Sequence, residues 1–152
     1  MAITLPDGSV RKYERPVSGG DVAADIGSGL AKAALAARVN GELWDLDRTI
    51  DSDTLLAIVT RADDTALELL RHDAAHIMAE AVKELYPNTQ ITIGPVIEDG
   101  FYYDFSREEA LTPDDLETIE ERMREIVARD EPVTREIWDR DEAIKFFREQ
   151  GE

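Results

Sequence analysis

Asn40-Gly41 stands between two apolar-bearing stretches, ARV and ELW, and this dipeptide fixes where the chain reverses. A two-residue type I′ turn needs positive φ at both central positions, which Asn tolerates and Gly adopts freely, so a tight hairpin is expected here. A second hairpin is expected at ITLPDGSVRKYE, where Pro6 presets the first turn position and Gly8 accepts positive φ after Asp7. Between the two lies DVAADIGSGLAKAALAA. There Asp21 is placed to cap a short helix, Gly27 and Gly29 interrupt it, and an alanine-rich helical stretch follows. The strand TLLAIVT closes the segment.

The order strand, strand, helix, strand, strand, short strand is that of a ubiquitin-like β-grasp, in which one mixed sheet folds over one helix. The polar, aperiodic run Arg61–Asp64 then marks a boundary, giving two modules, residues 1–62 and 63–152. Charge follows the same division. Residues 1–62 carry 7 basic and 9 acidic side chains, and the remainder carries 10 and 25. The second module reads as α+β. Its first element is a long helix, TALELLRHDAAHIMAEAVKELY, with Thr65 and Glu68 spaced as a capping box and Pro87 as its stop. At 100° per residue, Leu67, Leu70, Ala74, Ile77, Ala81 and Leu85 gather on one side for packing. Thr65, Leu69, His72, His76, Ala79 and Lys83 gather on the other, which leaves both histidines free to line a cleft.

QITIGPVIEDGFYYDFS predicts a hairpin around Glu98-Asp99-Gly100, its first strand broken at Gly94-Pro95. Thr112-Pro113-Asp114-Asp115 starts another helix, with an N-cap hydroxyl, proline at the first position and acids against the dipole. Leu116, Ile119, Met123, Ile126 and Val127 form its apolar stripe. Pro132 ends it, VTREIW reads as a strand and DEAIKFFREQ as a final amphipathic helix.

The sharpest chemical feature is His72 with His76, since residues four apart on a helix project side by side and can hold one water or one metal between two imidazoles. The motif reads HDAAH, without the glutamate that a zinc protease carries beside its first histidine, so a peptidase is not expected. A small metal hydrolase would need a carboxylate ligand that the pattern does not place. With no cysteine, disulfides, thiolate nucleophiles and zinc-thiolate sites are all absent. Gly27-Ser28-Gly29 lacks the third glycine of a dinucleotide loop and the lysine of a P-loop, and reads as helix termination. Among the aromatics, alternation puts Phe101 and Tyr103 on one strand face and Tyr102 on the other. A formal net charge of -17 argues against a chain that wraps nucleic acid on its own. No apolar run approaches the roughly 20 residues needed to span a bilayer, and MAITLPDGSV has no secretory pattern, so a cytoplasmic location is expected.

Taken in order, ITLPDGS, VNGEL, RHDAAHIMAEAVKELYP and IGPVIEDGFYYDF resemble the N-terminal region of bacterial threonyl-tRNA synthetases, over nearly the whole chain. The resemblance implies that residues 1–62 are a TGS domain and that 63–152 open an α+β editing domain, which removes serine mischarged on threonine tRNA. Serine lacks one methyl of threonine, and one methyl discriminates by only about 1–3 kcal/mol, so a second hydrolytic sieve is needed. By the resemblance, His72 and His76 are the editing histidines that orient a water, and Tyr103 helps to hold the terminal adenosine or the seryl group. The family completes this site with a CxxxH element, which this sequence lacks, so half a site and little or no hydrolysis by the chain alone are expected. No metal or other cofactor is expected here; ATP, magnesium, zinc and the homodimer contacts are expected in the synthetase core. Threonine tRNA, through its seryl-ester 3′ end, is the implied partner, with no membrane. The competing expectation is a free-standing TGS-type regulatory or binding module without catalytic activity.

Overall fold

Both turns form as their residues dictate. The computed structural model describes residues 1–151, and Glu152 lies outside the described residues. They divide into two units, Met1–Leu69 and Leu70–Glu152. In the first, β1 (Ala2–Thr4) and β2 (Val10–Lys12) pair antiparallel, with Gly8 at φ 82° in the turn and the Leu5 N–H donating to Ser9 O at 2.9 Å. β4 (Ala34–Val39) and β5 (Glu42–Trp44) are joined by Asn40 at φ 50° and Gly41 at φ 93°, both positive as a type I′ turn requires. Asn40 also reaches beyond its own turn to β7 (Thr54–Thr60). Its Oδ1 accepts the Leu55 N–H at 3.0 Å and its Nδ2 donates to Thr54 Oγ1 at 3.2 Å.

The sheet runs β2-β1-β7-β4-β5, with β1 parallel to β7 and the other pairs antiparallel. This is the mixed sheet of a β-grasp, and the chain as a whole is α+β. β3 (Val17–Ser18) and β6 (Thr49–Ile50) add an antiparallel ladder that the sequence pattern did not single out, each being too short to show a period. α1 (Gly19–Ile26) is capped by Ser18, whose Oγ accepts the Asp21 N–H, while Asp21 Oδ2 accepts the Ser18 N–H. Asp21 is therefore the third helical residue of a capping box and not the cap itself. Gly27 ends α1, but Gly29 lies inside α2 (Ser28–Ala33).

The alanine-rich run leaves the helix at Ala34 and becomes β4, where pairing with β7 overrides its helical propensity. Small residues are needed at this place. A Cβ on Gly19 would lie 2.6 Å from the Cβ of Ala37. The core of the unit gathers Ile3, Val17, Val22, Ala37, Val39, Ile50 and Leu56, with Met1, Leu5, Tyr13, Trp44 and Ile58 packed around them.

α3 (Ala66–Leu85) begins in the first unit, where Ala66 is buried and Arg38 Nη2 donates to Thr65 Oγ1 at 3.4 Å. Its packing face differs from the one the periodicity predicts. Leu67 and Leu70 are 55% and 47% exposed, whereas Ala75, Ala79, Ala81 and Val82 are buried. In the second unit Ala81 and Val82 meet Ile119, with Met78, Leu85, Tyr86, Phe105, Leu111, Met123 and Ile126 around them.

β8 (Gln90–Ile91) pairs with β11 (Phe105–Ser106), and β9 (Val96–Ile97) with β10 (Gly100–Phe101). The hairpin is thus two ladders interrupted at Gly94-Pro95, held across the gap by Asp104 N–H to Ile93 O at 3.0 Å and Tyr102 N–H to Pro95 O at 3.4 Å. α4 (Pro113–Arg129) carries the expected cap, with Thr112 and Asp115 bonding each other's backbone N–H. Its stripe is narrower than expected: Ile119, Met123 and Ile126 pack, but Leu116 and Val127 are exposed. VTREIW is not a strand. Among the described residues nothing pairs with it, and it runs without regular structure to Asp139, the N-cap of α5 (Arg140–Glu149).

Candidate functional site

The candidate site is built on the second and third turns of α3 and on the hairpin that lies against them. One helical turn separates His72 from His76, so their rings project together from exposed positions. Their Nε2 atoms are 2.9 Å apart, with ring centroids at 4.5 Å and planes at 82°. One Nε2 therefore carries the hydrogen and the other presents its lone pair. The two imidazoles bond each other directly.

Beside the pair, Arg71 clamps the hairpin tip. Its Nη1 donates to Glu98 O at 2.7 Å and to Ile97 O at 3.4 Å, which ties the β9–β10 turn to α3. The sequence pattern gave no sign of this role; its only signal was the position of Arg71 next to His72. Farther down the hairpin, half-buried Tyr103 stacks on Phe105 with centroids 5.0 Å apart and planes 13° from parallel. Tyr102 is exposed, and Phe101, Tyr103 and Phe105 share the inner side, as strand alternation predicts.

The ring of Tyr103 covers Gly94: a Cβ there would come within 2.0 Å of Cδ2 and 2.8 Å of Cγ. Gly94, legible in the sequence only as a strand break, thus makes the space in which Tyr103 lies. Tyr103 makes no hydrogen bond to either histidine among the described residues. The structure brings the two imidazoles together and holds the tyrosine on the hairpin against Phe105.

The base of α3 is fixed by charge. Glu84 accepts Arg129 through both oxygens, at 2.6 and 2.8 Å, and Arg122 at 3.0 Å. The Arg129 bonds, more than those of Arg122, hold the Glu84 carboxyl down to about 2. Tyr86 donates to Asp115 at 2.5 Å, which holds that carboxyl down to about 2 and pushes the phenol up. Among the described residues no three His, Cys, Asp or Glu side chains gather to hold a metal ion. The two imidazoles alone leave a metal ion short of the three or four protein ligands it needs.

A family model for the TGS domain matches residues 1–60, the stretch that forms the β-grasp sheet. The threonine–tRNA ligase of Acidiphilium cryptum is 65% identical over 151 residues, which cover 99% of this chain and 24% of that protein. The chain is a TGS-bearing relative of the threonine–tRNA ligases. Those of Granulibacter bethesdensis and Rhodospirillum rubrum are 62% and 63% identical, again over 99% and 100% of this chain and 24% of each protein. The likeness continues past the TGS domain through the histidine helix, the hairpin and both later helices, which a free-standing TGS module does not account for. The chain spans about a quarter of the length of these relatives. Among the described residues no helix is long and apolar enough to cross a membrane.

Proposed function

We propose that this chain supplies a threonine–tRNA ligase with its TGS domain, residues 1–62, and with the first part, residues 63–152, of a domain that hydrolyses seryl-tRNA mischarged on threonine tRNA. The carrying observation is the exposed His72–His76 pair, Nε2 to Nε2 at 2.9 Å, in a chain alike over its whole length to threonine–tRNA ligases.

The chemistry asked of the pair is ester hydrolysis. A water displaces the bond between the rings, and the Nε2 with the free lone pair takes its proton as the oxygen attacks the seryl carbonyl carbon. The tetrahedral intermediate collapses by breaking the bond to the ribose oxygen, which receives that proton from the imidazolium. Serine and uncharged tRNA leave. The second imidazole, as donor, orients the water or the ester. Tyr103, laid flat by Gly94 and Phe105, offers a ring face for the terminal adenosine or an edge for the seryl group.

Two histidines and a tyrosine are half of such a site, and the chain alone hydrolyses the ester poorly or not at all. The remaining side chains come from the further length the relatives carry, as do the sites for ATP, magnesium and zinc and the homodimer contacts. The protein works in the cytoplasm, where its tRNA is. The test compares seryl- and threonyl-tRNA for threonine as substrates of the chain alone and of the chain joined to that further length, each with His72→Ala. Hydrolysis by the joined form only, selective for the seryl ester and lost in the variant, is the expected result. Equal rates with and without His72 reject the assignment.

A further inference from the structure

The tip of the second unit's hairpin has little of its own to hold it. β9 and β10 are two residues each and share one ladder of two residue pairs, and a hairpin this short is marginal by itself in water. Its side chains do not anchor it either: Ile97 is 46% exposed, and Glu98 and Asp99 stand in solvent. The base of the hairpin is secure, because Phe105 packs against the core of Ala81, Val82 and Ile119. At the tip, the hydrogen bonds that reach α3 among the described residues are those of Arg71 Nη1 to Glu98 O and Ile97 O, at 2.7 and 3.4 Å. Residues 63–152 hold 25 acidic side chains, yet among the described residues Arg71 forms an ion pair with none of them. Its guanidinium is committed to the main chain of the turn, and so to the place of that turn.

We propose that Arg71 is a positioning residue for the ester hydrolysis, holding the Tyr103 hairpin in register with the imidazole pair. This rests on the reading of His72, His76 and Tyr103 as parts of an editing site. Arg71 and His72 are consecutive, so the guanidinium ties the tip to the same helical turn that carries the first imidazole. From the tip the chain runs through β10 to Tyr103, whose ring stacks on Phe105 from the side of the base. Tyr103 is thus supported from both directions, by the core through Phe105 and by α3 through Arg71. Hydrolysis needs the ester carbonyl at the imidazoles while the adenosine or seryl group rests on the tyrosine, and these two contacts come from separate elements. With the tip released, the hairpin is held at its base alone, and an ester seated on Tyr103 loses its alignment with the lone pair of Nε2. A misplacement of about 1 Å between reacting groups costs on the order of a hundredfold in rate. One nitrogen, Nη1, makes both bonds, so the ammonium of a lysine can replace it and the thioether of a methionine cannot.

Two measurements on Arg71→Met and Arg71→Lys test this: amide hydrogen exchange on this chain, and seryl-tRNA hydrolysis by the chain joined to the further length its relatives carry. Arg71→Met is expected to speed exchange at residues 97–102 about tenfold or more, while residues 75–82 of α3 keep their protection and so show the unit folded. In the joined form the same change is expected to lower kcat for the seryl ester about a hundredfold and to leave KM within about threefold. Arg71→Lys is expected to recover most of both effects. A fall in kcat with the core still protected is a change that a merely structural role does not produce. Unchanged exchange at the tip in Arg71→Met overturns the proposal, as does a kcat within about threefold of the parent's. A loss that Arg71→Lys shares in full overturns it too, since the guanidinium itself is then the group required. The two readings fail differently. A joined parent that hydrolyses no seryl ester removes the editing assignment and the catalytic part of this proposal with it, whereas an active parent indifferent to Arg71 removes the proposal alone.

Discussion

Gly94 shows what a single missing side chain can position. A Cβ built there would meet Cδ2, Cε2 and Cγ of Tyr103 all inside 3 Å, so a small adjustment of the ring tip cannot relieve the clash. Gly94→Ala is expected to lift the ring off Phe105 and to destabilise the second unit by about 1–3 kcal/mol, the usual cost of overpacking. A lower urea midpoint together with shifted Phe105 ring resonances is the expected outcome; an unchanged Phe105 environment would show that the ring has room to spare. The sequence makes Gly94-Pro95 legible as an interruption and Tyr103 as an inward residue, but not the fit of one into the other, because that contact crosses the hairpin. Likewise the spacing of His72 and His76 foretells their shared side, while the direct bond between their rings is a matter of rotamers that spacing does not contain.

At the scale of elements, the parts decided locally were legible and the parts decided by partners were not. Both hairpin turns and the Thr112 cap follow from the turn and cap residues themselves. The packing side of α3 does not, since alanines at 75, 79 and 81 allow close approach where a hydropathy pattern favours Leu67 and Leu70. VTREIW has the composition of a strand but, among the described residues, no neighbour to pair with, and composition alone cannot supply one. α3 and α4 are joined by Glu84, Arg122 and Arg129, and this joint is sensitive to acid. A carboxyl held at about 2 against an ordinary 4.5 favours the folded state above 4.5, and that contribution is lost as the pH falls from 4.5 towards 2. The second unit is therefore expected to lose stability through that window, and Glu84→Gln to flatten the loss. Urea titrations across the window check this, and parallel curves for the two proteins would assign the acid sensitivity elsewhere, with Asp115 the next group to examine.

For the molecule as a whole, the two tryptophans fall one to a unit, Trp44 against the β-grasp core and Trp138 beside α5. Each unit can thus be followed by its own fluorophore. Ile3 is fully buried at the centre of the first core, so Ile3→Ala is expected to cost about 2–5 kcal/mol there. In proteins carrying one tryptophan each, the Trp44 transition should move to lower urea and the Trp138 transition should hold. A common shift of both would mean that the units unfold as one cooperative body.

The turn at Asn40-Gly41 has a chemical consequence as well as a conformational one. Asn followed by Gly is the pair in which the next backbone nitrogen most readily closes on the side-chain carbonyl carbon, expelling ammonia to form a succinimide, which water then opens to an aspartyl or isoaspartyl residue. Here the Asn40 carboxamide is engaged at both ends, by the Leu55 amide and the Thr54 hydroxyl, and cyclisation requires it to leave both. Ageing of the protein at this one residue therefore records how often the hairpin comes away from β7, a slow clock written into the backbone at the most strongly specified turn of the chain.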